Sequence, residues 1–181
     1  LLIERNISNR ETRLSLLDLA TGQATEIPWT GAPARYEESG FTPDGKGIIA
    51  ITDHQSDFRR LVEIDLASGR RSILTPGLSW DVETYELSGD GRIIAYAVNE
   101  DGFSRVHLLD RSGRNSTPVP NLPNGVLTGL KFSPDGNKLA ISMSTAKSAG
   151  DVWVFDRAGG QTVRWTHSEP VSYTHLTLPT K

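Results

Sequence analysis

The stretch Gly40-Phe41-Thr42-Pro43-Asp44-Gly45-Lys46-Gly47 has the G-x-x-x-x-G-K spacing with which backbone amides and a lysine cradle phosphates. It then offers Gly47 where a Ser or Thr would hold magnesium, and an apolar run rather than a helical pattern follows, so it reads as a structural turn. A serine hydrolase would place G-x-S-x-G on a strand-to-helix elbow that exposes the nucleophile. The nearest string, Gly102-Phe103-Ser104-Arg105-Val106, lacks the second glycine and opens a strand, which makes Ser104 a hairpin-end residue behind the turn Asn99-Glu100-Asp101-Gly102. That acidic turn lacks the spaced ligands and distal Glu of a calcium loop.

His54, His107 and His167 fall in three separate segments, with His175 near the C-terminus, and isolated histidines make no metal-ligand set. His107 alternates with Val106 and Leu108 and is expected on a sheet surface or toward solvent. Glu37-Glu38 would anchor a substrate ammonium if it faced a cavity, but a solvated strand end is the simpler reading. Trp29, Trp80, Trp153 and Trp165 are expected to pack between sheets. With no cysteine in the chain, disulfides, thiolate zinc sites and cysteine nucleophiles are excluded. No catalytic, cofactor-binding or metal-binding residue is assigned, and no cofactor is expected.

The elements that would position these side chains are set by a repeat. Thr42-Pro43-Asp44-Gly45, Ser88-Gly89-Asp90-Gly91 and Ser133-Pro134-Asp135-Gly136 place their last glycines 46 and 45 residues apart. A second marker keeps the same period: apolar runs close on Asp18, Asp65, Asp110 and Asp156, which are 47, 45 and 46 residues apart. Each period reads as four strands without a helix. The first ends in a type I turn, where Ser or Thr suits the opening corner, Pro the second position and Gly the fourth. The second is nearly all apolar (Ile48-Ile49-Ala50-Ile51, Ile93-Ile94-Ala95-Tyr96-Ala97-Val98, Leu139-Ala140-Ile141-Ser142-Met143), as expected of an interior strand covered on both faces. Ile49, Ile94 and Ala140 are expected at equivalent places on it. The third alternates and ends in a hairpin turn such as Asp65-Leu66-Ala67-Ser68-Gly69, and the fourth is short and polar, as befits an outer edge.

A helix-free unit of this length in tandem predicts an all-β fold, a β-propeller of four-stranded antiparallel blades; a sandwich gives no reason for the whole pattern to recur. The blades are expected at residues 33–76, 79–120 and 124–167, with residues 1–32 supplying only later strands of an earlier one. Because a ring needs about four to eight blades, the propeller is expected to be incomplete, three whole blades plus part of a fourth, cut from something larger at both ends. The opening Leu1-Leu2-Ile3-Glu4-Arg5 lacks both an initiator Met and a leader pattern, and the true N-terminus is expected to lie upstream. Residues 171–181, beginning Val171-Ser172-Tyr173-Thr174-His175-Leu176, look like a translated transposon-end adapter of the kind used in sequencing libraries, and are set aside from fold and function.

The charge of -3 comes from scattered acids and bases, so neither a nucleic-acid surface nor a polybasic membrane patch is expected. No window approaches the roughly 18 apolar residues of a membrane-crossing helix. The composition leaves bacterial cytoplasm and periplasm both open, and the oligomeric state undetermined.

From residue 80 onward the strings Asp81-Val82-Glu83, Leu87-Ser88-Gly89-Asp90-Gly91-Arg92-Ile93-Ile94-Ala95-Tyr96-Ala97-Val98-Asn99-Glu100-Asp101-Gly102, Leu122-Pro123-Asn124-Gly125-Val126 and Phe132-Ser133-Pro134-Asp135-Gly136 resemble the propeller of prolyl oligopeptidase-family serine peptidases. The similarity covers most of residues 10–170; the Asn-Glu-Asp-Gly turn and Leu-Pro-Asn-Gly connection are its more specific parts, since TolB-like propellers share the Ser-Pro-Asp-Gly turn. The resemblance implies a propeller that precedes an α/β-hydrolase domain and restricts which peptides reach its Ser, Asp, His triad. None of that triad maps onto this chain, so its partner would be a peptide substrate met through the absent catalytic domain. The alternative is a TolB-like periplasmic propeller acting through protein contacts. A WD-type scaffold ranks third, because Trp80-Asp81 occurs once and at a blade's start.

Overall fold

The computed structural model describes residues 1–28, 32–112 and 115–168, and within them the chain is all β. A three-stranded sheet comes first, β1 (Leu2–Ser8), β2 (Glu11–Leu17) and β3 (Ala24–Glu26). Three four-stranded sheets follow: β4 (Tyr36–Phe41), β5 (Gly47–Thr52), β6 (Arg60–Asp65), β7 (Arg71–Ile73); β8 (Val82–Leu87), β9 (Ile93–Glu100), β10 (Phe103–Asp110), β11 (Ser116–Pro118); β12 (Val126–Phe132), β13 (Lys138–Thr145), β14 (Ser148–Asp156), β15 (Gln161–Arg164). Every pairing is antiparallel between strands adjacent in sequence. Among the described residues no helix is long and apolar enough to cross a membrane. The sheets stack in chain order as propeller blades without closing a ring.

The same turn joins the first two strands of each four-stranded sheet, and its chemistry explains the repeated residues. In Thr42-Pro43-Asp44-Gly45 the Gly45 amide donates to the Thr42 carbonyl at 2.8 Å, and the Thr42 hydroxyl donates to Asp44 Oδ1 at 2.5 Å and accepts from the Gly47 amide at 3.0 Å. Ser88 with Asp90 and Ser133 with Asp135 repeat these bonds. The three carboxyls are held below their usual range by the hydroxyl and then by a backbone amide, Asp135 to about 2. Gly91 closes its turn at φ 70, the left-handed region, and a Cβ there would meet Pro43 Cδ of the preceding sheet at 2.9 Å.

The core is three separate seams, one between each pair of neighbouring sheets. Ile48, Ala50, Val62 and Ile64 pack on Leu14 and Ile27 of the first sheet. From the opposite face, Ile49, Ile51, Leu61 and Leu74 pack on Val82, Ile94, Tyr96, Val98 and Leu109. Ala95, Ala97, Val106 and Val119 then meet Phe132, Leu139, Ile141, Met143, Trp153 and Phe155. This is why the second strand is apolar throughout: β5 is buried at all six positions, and alternate residues feed different seams. Full burial of each of its three isoleucines is worth about 1.5–3 kcal/mol.

Two expectations need correction. Ile49 and Ile94 are not equivalent: they face each other across one seam, and the residue in Ile94's place is Ile48 in the sheet before and Leu139 in the sheet after. The turn glycines at 45, 91 and 136 already demand this register, and a slip of one residue turns a strand side chain to the other face. Among the tryptophans only Trp153 lies in a seam, at 8% exposure; Trp80 and Trp165 are 38% and 62% exposed, and Trp29 lies outside the described residues. Trp165 nonetheless occupies a seam position. Its amide donates to the Val152 carbonyl as Leu74 does to Leu61 and Val119 to Val106, so it projects from the face of the last sheet that points away from the other three, and among the described residues no sheet covers it. Residues 171–181, read as adapter sequence, also lie outside the described residues.

Candidate functional site

The first strand of each four-stranded sheet lies at one edge of that sheet; β8 contacts β12, and β4 contacts β1, the edge strand of the three-stranded sheet. Each of β4, β8 and β12 carries a bulge, between Glu37 and Gly40, Val82 and Thr84, and Leu127 and Gly129. A bulge breaks the ladder and re-aims side chains. At Glu38, φ is 51°, and the residue turns its carbonyl and carboxylate toward the next sheet.

A row of glutamates results, each tied to a neighbour. Glu4 Oε1 accepts from the Ser39 amide at 2.6 Å. Glu37 lies 2.7 Å from Arg35 and 3.1 Å from Arg59, and the Arg59 amide donates to Asp81 Oδ1 at 2.7 Å, so the arginine spans two sheets. Glu38 accepts from the Thr84 hydroxyl at 2.8 Å. The Tyr85 hydroxyl lies 2.7 Å from the Glu38 carbonyl and 2.8 Å from that of Ile49, and burial, then the Glu38 charge, raises its pKa. Glu86 pairs with Lys131 of the last sheet at 2.6 Å. Glu37-Glu38 is thus not simply a solvated strand end: Glu37 is half-buried between two arginines, while the exposed Glu38 lines a cleft of about 340 Å³ with Tyr85, Glu86 and Lys131.

Ser104 is buried, at 1% exposure. Its hydroxyl donates to Glu83 Oε2 at 2.7 Å and accepts from the Leu127 amide at 2.9 Å, while its own amide donates to the Gly125 carbonyl at 2.9 Å. Asn99 holds the other Glu83 oxygen at 2.8 Å. The hairpin-end serine of the sequence reading is therefore a clasp between sheets. Its hydroxyl is buried in the seam, closed off from a substrate, and the strand pleat sends His107 to the opposite face. There His107 stacks on Tyr96, ring centroids 5.2 Å apart, and burial pushes its pKa down. His54 is likewise lowered by burial, then by Arg71, and His167 is exposed in the segment beyond the last strand. Among the described residues no group of three His, Cys, Asp or Glu side chains converges on a metal position. The phosphate-loop look-alike, residues 40–47, is the β4–β5 hairpin.

Sequence reasoning missed Asp151. This carboxylate is wholly buried, and it accepts from Ser148, Arg164, Thr166 at 2.9 Å and the Ser168 amide at 2.8 Å. Burial alone would raise its pKa, but those hydrogen bonds outweigh it and hold the group ionised far into acid. Its partners lie up to 17 residues away, and no local pattern announces them.

Four stacked antiparallel sheets with bulged, polar inner edges define a β-propeller fold. No family model matches the sequence. Among solved structures, TolB from Acinetobacter baumannii superposes with a TM-score of 0.67 over 92% of this chain and 41% of its own, at 21% identity. A prolyl endopeptidase gives 0.74 over 91% of this chain and 24% of its own, at 14% identity, and puromycin hydrolase 0.69 over 94% and 27%, at 18% identity. The chain thus spans about two fifths of the TolB chain and about a quarter of the other two.

Proposed function

We propose that this chain is the propeller part of a prolyl oligopeptidase-like serine peptidase, restricting which peptides reach an α/β-hydrolase domain that carries the nucleophile. The observation that carries the reading is the placement of the peptidase-like strings. The Leu122-Pro123-Asn124-Gly125 connection is bound to the strand that follows the Asn99-Glu100-Asp101-Gly102 turn: Asn124 Oδ1 accepts from Arg105 at 2.9 Å, and Gly125 accepts from Ser104. The fold likeness to a prolyl endopeptidase and to puromycin hydrolase supports it, and Glu38, exposed in the inner-edge cleft with no cation in ion-pair contact among the described residues, would suit a peptide's amino terminus. The coding sequence downstream tests the proposal. A G-x-S-x-G motif on a strand-to-helix turn within the next few hundred codons is expected, and its absence from an uninterrupted reading frame overturns the peptidase reading.

The likeness to TolB, at 21% identity over 92% of the chain, favours a second reading, a propeller acting through protein contacts alone. The two part downstream, where a peptidase switches to alternating strands and helices and a binding propeller does not.

A further inference from the structure

On the side of the molecule that carries the first-to-second strand turns, an arginine follows the aspartate that ends the third strand in two successive sheets, Arg111 and Arg157. Both use one nitrogen in the same way: Arg111 Nη1 donates to the Gly91 carbonyl at 3.3 Å, and Arg157 Nη1 to the Gly136 carbonyl at 2.6 Å, each the turn glycine of its own sheet. In Arg111 the remainder of the guanidinium reaches back to the third strand of the preceding sheet. For Arg111 that strand supplies Glu63, 2.5 Å from Nη2. For Arg157 the equivalent residue is Leu108, since Glu63 pairs with Ile49 and Leu108 with Ala95, the same place one repeat on.

Arg157 therefore has no carboxylate within ion-pair distance among the described residues; Asp90 acts on it only at longer range. It lines an open cleft of about 630 Å³ with Asp90, Arg92, Asp110, Arg111 and Ser112. The cleft's own acids are engaged, Glu63 by Arg111 and the other two by their turns. Asp90 Oδ1 accepts from Ser88 at 2.7 Å and the Arg92 amide at 3.1 Å, and Asp110 Oδ1 accepts from the Ser112 amide at 2.9 Å and hydroxyl at 2.7 Å. A guanidinium positioned by a backbone carbonyl presents its remaining donors in a fixed fork, a geometry that suits a planar carboxylate.

We propose that Arg157 anchors a carboxylate-binding site above Leu108, filled by a carboxylate group of a peptide or protein partner in the way that Glu63 fills the site at Arg111. Arg92, largely exposed at the cleft rim, already lies 3.9 Å from Asp90, so the site rests on Arg157. Because the cleft also holds acids and stays open to water, the affinity is expected in the millimolar range.

The test is an NMR titration of the arginine side-chain resonances of this chain. The probes are the blocked tripeptide Ac-Ala-Glu-Ala-NH2, its Gln counterpart, and Ac-Ala-Ala-Ala with a free C-terminal carboxylate. Saturable movement of Arg157, assigned by its loss in Arg157→Gln, is expected with at least one acidic probe and not with the neutral one; which acidic probe binds tells a side-chain source from a chain terminus. Arg111, already paired, is expected to stay still. Leu108→Glu installs the carboxylate that the preceding repeat carries, and is expected to shift Arg157 without ligand and to weaken binding at least about tenfold. Should that variant fold poorly, Arg157→Gln, checked by circular dichroism, is expected to abolish binding alone. Equal response to the neutral peptide, no saturation with either acid, or unchanged affinity in folded Arg157→Gln or Leu108→Glu overturns the proposal.

Discussion

Replacing Ser104 by Ala tests whether the seam between the last two sheets is held by polar clasps as well as by apolar area. The hydroxyl makes one bond to an ionised acceptor, Glu83 at 2.7 Å, and takes one from the Leu127 amide at 2.9 Å, at a position only 1% exposed. Truncation removes a charge-assisted bond, worth about 1.5–3 kcal/mol, and strands a part-buried amide, a loss of about 1 kcal/mol. Asn99 still holds the other Glu83 oxygen, which offsets part of that. We therefore expect a net loss of about 2–3 kcal/mol, or a melting temperature lower by about 5–10 °C for a chain of this size. Urea unfolding followed by far-ultraviolet circular dichroism measures it, with Ser112→Ala as the exposed control. Glu83→Gln and the double variant complete a cycle whose coupling is expected near 1 kcal/mol or more. A single-variant loss under about 0.5 kcal/mol with an unchanged urea slope would refute the reasoning, since the seam would then rest on apolar contact alone.

Gly91→Ala is expected to destabilise more than Gly45→Ala: both force Ala into left-handed backbone at about 1–2 kcal/mol, but only at Gly91 would the new carbon press on Pro43, 2.9 Å away, whereas nothing lies within 4 Å at Gly45. Equal midpoints in urea would contradict the seam geometry. His107 has its pKa lowered by burial, so the unfolded chain binds its proton first as pH falls through about 6.5, and stability is expected to drop from there. His107→Val, the residue type at equivalent position 62, is expected to flatten part of that slope, the remainder belonging to His54, and a melting-temperature profile over pH 5–8 that matches the parent would rule this out. Trp165, 62% exposed at a seam position, is expected to drive self-association, with Trp165→Glu eluting closer to monomer on size exclusion; a parent chain that elutes as a clean monomer would sink the idea.

Much of the fold was legible because the repeat is written in residues whose roles are local. Asp44, Asp90 and Asp135 each act within a turn of a few residues, and the apolar runs of β5, β9 and β13 follow from burial on both faces. The face of each second-strand residue was less legible. The glycine spacing of 46 places Ile94 with Ile48, and reading it beside Ile49 reversed its direction. The inter-sheet clasps were not legible at all. Glu38 meets Thr84 across 46 residues, Arg111 meets Glu63 across 48, and Leu127 meets Ser104 across 23. A single sequence does not say which of many hydroxyls and carboxylates will meet at such separations.

The seams also show why the four sheets stack in one order. At the middle seam Ile49 and Ile51 face Ile94, Tyr96 and Val98, bulky against bulky of moderate size. At the last seam the receiving face shrinks to Ala95 and Ala97, and the incoming sheet compensates with Phe132, Trp153 and Phe155. Close packing demands that compensation, because small against small leaves a void and large against large forces strain. The two outward faces of the described sheets lack it. The last sheet presents the small residues Ala140 and Ser142 beside Val152 and Trp165, whereas the outer face of the first carries Arg5, Arg13 and Glu26 in an ion-paired cluster, with Arg13 3.1 Å from Glu26. Seating those charges on Trp165 and Val152 would bury them without new partners, at a cost of several kcal/mol per ion. Head-to-tail closure of copies is therefore disfavoured. Self-association, where it occurs, should run through the last sheet's face on both partners and stop at a dimer.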